Sequence, residues 1–245
     1  MLAPLYVAYG VASYLFFFAT FVYMIGFAGA LQLPLTVDAG RASGSAVEAF
    51  GVDVALLALF AIQHSVMARA SFKRVWAKVV PAAIERSTYV LASTAALGLI
   101  LWQWRSITEP VVWEATGTLR LVVQGLFWVG WGVMLWSSWM IDHFELFGLR
   151  QVWRALRNQR AGEPVFRTPL LYRYVRHPLY VGVLLGVWAT PRMTAGHLLF
   201  AAGFTLYILV GIYFEERDLI AAFGSRYATY RRNVGMLLPK RRPLG

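Results

Sequence analysis

Thirty-six consecutive residues, Leu2 to Val37, carry no charge. A spanning helix needs about 20 apolar residues, so the stretch predicts one tilted transmembrane helix near Pro4–Leu31. No basic segment precedes it, and the apolar run is too long for a cleaved signal peptide. Further apolar segments follow at Phe50–Met67, Thr88–Trp104 and Leu121–Ile141. Leu179–Thr190 is shorter, about 18 Å at 1.5 Å per residue. A turn at Pro191–Ala195 then joins it to the run His197–Phe214. The long alternating strands of a barrel are absent. The expected fold is therefore an all-α multi-pass membrane protein: four spanning helices plus a C-terminal helical hairpin, five to six passes in all. Composition agrees, since 59% of the 245 residues are hydrophobic and 14% charged. A soluble domain carries about 25% charged residues to cover its water-facing surface, so a soluble enzyme, a coiled coil and a disordered chain are excluded. With no cysteine, disulfides, thiolate metal sites and a Cys nucleophile are excluded as well.

The net charge is +11, and its distribution sets the topology. The segments Arg69–Arg86, Asp142–Arg176 and the tail from Glu215 hold nineteen of the 23 basic residues. Basic residues gather in cytoplasmic loops, so those three segments and both termini are expected on the cytoplasmic side. No basic residue falls in a nucleic-acid-binding pattern, so nucleic acid is not an expected partner. Without internal repeat or linker the chain reads as one integral-membrane domain, 1–245.

Polar residues far apart in sequence fall at this cytoplasmic level. Polar groups near the hydrocarbon are costly and face the bundle interior or water. The first cluster is Gln63-His64-Ser65 with Arg69, followed by Glu85-Arg86-Ser87-Thr88-Tyr89. Asp53 shares a helical stripe with His64 but stands about 16 Å away along the axis. The cluster reads either as a polar stripe packed against other helices or as a site with His64 as general base, its ordinary pKa being near 6.5. The second cluster, Asp142-His143-Phe144-Glu145, equally suits an amphipathic interfacial helix with acidic residues at its start. The third is Arg173-Tyr174-Val175-Arg176-His177-Pro178-Leu179-Tyr180-Val181-Gly182. Pro178 is well placed to open a helix, whose free amides form an anion site. A hairpin brings Arg176–Tyr180 beside Glu215-Glu216-Arg217-Asp218 and the tyrosines Tyr227 and Tyr230.

The run Arg176-His177-Pro178-Leu179-Tyr180-Val181-Gly182, then Glu215-Glu216-Arg217-Asp218-Leu219, Phe223-Gly224, Tyr227, Tyr230 and Pro239 resembles the C-terminal signature of the isoprenylcysteine carboxyl methyltransferase superfamily. With Gln63-His64-Ser65, Met67-Ala68-Arg69, Glu85–Val90, Trp102-Gln103-Trp104 and Ile141–Gly148, most of the chain is similar to one branch, the membrane-bound methanethiol S-methyltransferases. The resemblance implies S-adenosyl-L-methionine as cofactor, held on the cytoplasmic side by residues 142–245, with 1–141 as the four-helix membrane part. Arg176, His177, Pro178, Tyr180, Glu215, Glu216, Tyr227 and Tyr230 are the expected cofactor-binding residues. Arg176 and the amides after His177 suit the carboxylate, Glu215 or Glu216 the ammonium or the ribose diol, and Tyr180 and Tyr227 the adenine. The implied reaction is methylation of methanethiol to dimethyl sulfide. The thiol must lose its proton, since a free cysteine has a pKa of about 8.5 and a simple alkyl thiol is no more acidic. His64 is the first candidate base, with Tyr89 and His143 behind it; Arg69 or Arg86 would hold the anion. Expected partners are a small volatile thiol and membrane lipid, with no obligate protein partner evident and no metal. The expected location is a bacterial inner membrane. Two alternatives stand beside this reading: a relative acting on a lipid or prenylated substrate, and a non-catalytic protein whose histidines ligate haem or a metal.

Overall fold

The structure, a computed structural model, describes residues 2–160, 162 and 165–240. In chain order the elements are α1 (Ala3–Ala28), α2 (Ala46–Ala68), α3 (Ala70–Trp76), α4 (Glu85–Gln103), β1 (Val111–Glu114), α5 (Gly117–Ile141), α6 (His143–Leu146), α7 (Leu149–Leu156), α8 (Pro178–Trp188), β2 (Arg192–Thr194), α9 (Ala195–Phe223) and α10 (Ser225–Asn233). Among the described residues, α1, α2, α5 and α9 are each long and apolar enough to cross a membrane. The protein is thus a helical integral membrane protein. The third of the early segments, α4, has 19 residues, but Ser87, Ser93 and Thr94 lie on its buried face. Small polar side chains at helix contacts are usual in membranes, and they lower its apolarity. At 11 residues α8 is about 16 Å long, half the hydrocarbon thickness, so it does not cross alone.

Two expectations are corrected. Pro191–Ala195 is not a simple turn, because Arg192–Thr194 forms β2. Its partner strand is β1, Val111–Glu114, antiparallel to it with Val111 opposite Thr194 and Glu114 opposite Arg192. A three-residue strand is too short for its alternation to stand out in a chain dominated by spanning segments. The last long helix does not stop at Phe214: α9 runs on to Phe223, so Glu215 and Glu216 are helical residues on adjacent faces rather than groups beyond a helix end.

The chain forms two compact units. One comprises Met1–Glu114, His143–Gly162 and Arg192–Gly203; the other comprises Ala115–Asp142, Glu163–Pro191 and Phe204–Gly245. In the first, α4 lies against both α1 and α2, and α7 against α1. Phe27, Trp104 and Phe200 are fully buried against one another, with centroid separations of 5.5–6.3 Å, and the Trp104 indole donates to the Val37 carbonyl at 3.2 Å. Gly148 turns the chain between α6 and α7 at φ +89°, and a Cβ there would stand 2.8 Å from the Ser87 amide nitrogen. Both the backbone angle and the space require glycine.

The second unit is built on α5 and α8, which meet backbone to backbone. A Cβ on Gly130 would lie 2.6 Å from the Gly186 nitrogen, and one on Gly182 would lie 2.6 Å from the Gly130 carbonyl oxygen. The Trp188 indole donates to Thr205 Oγ1 at 2.8 Å and ties α8 to α9. The tail following α10 lies along the segment that leads into α8: Arg176 N–H donates to the Gly235 carbonyl at 2.8 Å and His177 N–H to Met236 at 3.2 Å.

Candidate active site

Pro178 opens α8 at its first helical position with His177 as the preceding cap residue. Proline suits this place because its ring presets φ and the N–H it lacks would be unsatisfied there. The cap and Arg176 just before it are buried and face α9. Arg176 Nε donates to Glu216 Oε1 at 2.7 Å, and its Nη1 donates to the carbonyls of Arg231, at 3.0 Å, and Val234. His177 Nε2 lies 3.2 Å from the same Glu216 oxygen. The other Glu216 oxygen receives Arg231 Nε at 2.8 Å. One carboxylate thus gathers α8, α9 and α10. Charge-assisted bonds of this kind are about twice as strong as neutral ones, and Glu216, only 6% exposed in its side chain, is screened little by water.

Glu215, one residue earlier and about 100° round the helix, is 44% exposed in its side chain. Tyr180 donates to its Oε2 at 2.9 Å, and the Tyr180 ring stacks with His177 at 5.7 Å. Tyr230 donates to the Tyr172 carbonyl at 2.5 Å. Burial, opposed by Arg176 and assisted by Glu216, pushes the Tyr230 phenol up to about 12. Burial and the nearby Glu216 carboxylate also push the Tyr227 phenol well above its usual range. Both are neutral hydroxyls at physiological pH. Tyr227 is 2% exposed, and its hydroxyl has no hydrogen-bond partner among the described residues. A buried hydroxyl without a partner is costly.

The other unit holds a second cluster. His64 sits near the end of α2 with its ring 4.9 Å from that of Tyr89 and 5.4 Å from that of Phe60. The Tyr89 hydroxyl donates to the His64 carbonyl at 3.4 Å. The Arg86 guanidinium lies 4.9 Å from the centre of the Tyr89 ring, and its Nε donates to the Leu146 carbonyl at 2.7 Å. Arg69 stands at the C-terminal end of α2 and donates to Ser65 O at 3.2 Å. His143 is buried and joins a different neighbour, with Nε2 2.8 Å from the Tyr14 hydroxyl and its ring 4.8 Å from that of Phe147. Asp53, toward the other end of α2, accepts the Arg105 amide at 2.9 Å.

The structure thus brings together His64, Tyr89 and Arg86 in one unit and all eight residues from Arg176 to Tyr230 in the other. Three members are not evident in the sequence. Arg231 completes the cationic shell of Glu216, but in sequence it is one of a basic run that speaks only to topology. Tyr172 contributes a backbone carbonyl, and sequence carries no signal for that. Tyr14 is an aromatic in an uncharged helix with nothing to separate it from its neighbours. Among the described residues, no group of three or more His, Asp or Glu stands arranged to hold a metal ion.

A family profile described as "NnrU protein" matches residues 54–237. The chain is 53% identical over 236 residues to the methanethiol S-methyltransferase of Mycobacterium tuberculosis, covering 95% of each chain. It is 53% identical over 232 residues to methanethiol S-methyltransferase 2 of Bradyrhizobium diazoefficiens, covering 95% of this chain and 89% of that one. Nurim of Rattus norvegicus is 32% identical over 177 residues, 68% of this chain and 66% of its own. No solved structure matches the chain significantly. With the profile spanning most of the sequence and such identity along nearly its whole length, the chain belongs to the NnrU family and, within it, to the group of the methanethiol S-methyltransferases.

Proposed function

We propose that this protein is a membrane-embedded methyltransferase that converts methanethiol to dimethyl sulfide with S-adenosylmethionine as methyl donor. The observation that carries the reading is the 53% identity over 95% of both chains to a methanethiol S-methyltransferase. S-adenosylmethionine supplies an electrophilic methyl group on a sulfonium, which the thiolate accepts to leave S-adenosylhomocysteine.

The residues of the Arg176–Tyr230 cluster fit such a donor. Glu215 is a half-exposed carboxylate held in place by Tyr180 and matches an ammonium or a ribose diol. The first amides of α8 and the adjoining guanidinium of Arg176 favour a carboxylate. The Tyr227 hydroxyl offers an unused hydrogen bond in a dry setting. Glu216 acts differently. Its two oxygens are taken up by Arg176, His177 and Arg231, so it fixes the geometry of the cluster.

On the acceptor side His64 takes the thiol proton. Its ring is set by Phe60 and Tyr89, and Arg86, beside the Tyr89 ring, supplies positive charge for the thiolate. A positioned base contributes about 10²–10⁴-fold. The tail and the loops rich in arginine and lysine face the cytoplasm of a bacterial inner membrane, in line with their share of the basic residues. Methanethiol and dimethyl sulfide are small and apolar and pass through lipid, so a membrane site needs no channel for them.

The test is purified protein in lipid nanodiscs with methyl-labelled S-adenosylmethionine and methanethiol. Labelled dimethyl sulfide in the headspace is the expected product. Labelled phospholipid, or transfer to a prenylated thiol in preference to methanethiol, would replace this reading with a lipid-directed one.

A further inference from the structure

Phe166 plays no part in the reading above, yet it sits at the centre of an aromatic group. Its ring centroid lies 5.8 Å from that of Tyr227 at 83°, 5.3 Å from that of Tyr230 at 69°, and 5.5 Å from that of Phe223. The two tyrosine contacts are edge-to-face, the arrangement that aromatic quadrupoles prefer. The Arg226 guanidinium lies 5.6 Å from the centre of the Phe166 ring and attracts it electrostatically. Tyr227 and Tyr230 themselves stand 5.8 Å apart at 60°. Phe166 therefore belongs to both tyrosines at once. Tyr230 is anchored by its hydroxyl to the Tyr172 carbonyl. Tyr227 has no such anchor among the described residues: it is buried, its hydroxyl is without a partner, and its other ring contact is with Tyr230.

A buried ring whose polar tip is unbound is oriented only by packing. Phe166 and Tyr230 both contribute to that packing, and Phe166 reaches the group from the segment preceding the turn at Leu170–Arg173. We infer that Phe166 is a positioning residue for the methyl donor: its ring helps fix Tyr227 so that the unpartnered hydroxyl is presented to a polar group of the bound nucleoside. The inference rests on the proposal that S-adenosylmethionine binds this cluster, and it adds a residue and an atom to it. The nucleoside's ribose and adenine both carry acceptors for a neutral phenol, which the burial of Tyr227 keeps protonated.

The experiment is calorimetric titration of the full-length protein in nanodiscs with S-adenosylhomocysteine. The variants are Phe166→Ala, Phe166→Tyr, Tyr227→Phe and the double variant Phe166→Ala/Tyr227→Phe. Loss of one net hydrogen bond weakens binding about tenfold. Phe166→Ala and Tyr227→Phe are each expected to raise Kd by about that factor at unchanged stoichiometry. Phe166→Tyr is expected to bind within about twofold of wild type, and the double variant no more weakly than the worse single one. A role limited to folding would lower the stoichiometry and leave Kd alone. The inference is overturned if wild type binds and Phe166→Ala binds equally well, if only stoichiometry falls, or if the two losses multiply. If wild type itself does not bind, the donor reading of the cluster falls and this inference with it.

Discussion

Replacing Glu216 by glutamine keeps the volume and removes the charge at the point where three cationic or potentially cationic groups meet. Arg176 then keeps its carbonyl contacts to Arg231 and Val234 but loses its counter-ion in a site where its side chain is almost wholly buried. Breaking a buried pair by removing one partner costs about 3–5 kcal/mol, because a buried charge is left uncompensated. The Arg231 contact adds little to this, since Arg231 is 51% exposed and an exposed ion pair is worth about 0–1 kcal/mol. For a chain of this size, each kcal/mol moves the melting midpoint by about 2–4 °C, so Glu216→Gln should lower it by roughly 6–20 °C. Removing the exposed partner instead, in Arg231→Gln, should lower it by no more than about 4 °C. Intrinsic tryptophan fluorescence during a thermal ramp of the purified protein reads both shifts. Pairing Glu216→Leu with Arg176→Met should recover part of the loss, because no charge then remains buried. A Glu216→Gln shift equal to that of Arg231→Gln would refute the view that this carboxylate is the buried electrostatic centre of its unit.

The glycine seam between α5 and α8 gives a second expectation: Gly182→Ala should destabilise by about 1–3 kcal/mol through overpacking, since its Cβ meets backbone atoms of Gly130 and Met134. Gly132→Ala, where no described atom lies within 4 Å of the added Cβ, should be neutral or stabilising; equal thermal shifts for the two would contradict the close approach. His64→Ala should reduce dimethyl sulfide formation by about 10²–10⁴-fold with S-adenosylhomocysteine binding unchanged, and unchanged turnover from pH 6 to 9 would remove His64 as the base. The Tyr230 phenol, pushed up to about 12, stabilises the fold while it stays protonated. That contribution is fully present below the ordinary tyrosine value of about 10 and is lost as pH rises toward 12. Absorbance near 295 nm should therefore show a late-titrating group of tyrosines, Tyr227 and Tyr230 among them, that is smaller by one in Tyr230→Phe.

The membrane helices are legible because burial in lipid demands long apolar runs, and little else in a sequence of this composition produces them. The clasp of Arg176 and His177 on Glu216 is legible through the pairing of opposite charges across two segments with a short connection. The extent of α9 is not, because Glu215, Glu216, Arg217 and Asp218 read as the end of an apolar run, whereas the buried partners of Glu216 let the helix run on past it. The strands β1 and β2 are hidden by their length. Phe166 and Tyr14 are hidden for another reason: with 16 Phe and 12 Tyr in the chain, an aromatic residue acquires meaning only from the ring beside it. His143 shows the same limit, for its partner is Tyr14 on the first helix, 129 residues away.

The short tail pairing at Gly235 and Met236 also bears on biogenesis. Translation delivers every spanning helix before it delivers Arg231 and the segment that lies along residues 175–177. A nascent chain can thus be fully inserted in the bilayer while Arg176 and Glu216 still lack the carbonyls and the second guanidinium that complete their setting. A protein cut just past α10 would therefore be inserted normally yet lack the Gly235 and Met236 carbonyls that hold the backbone of residues 176 and 177.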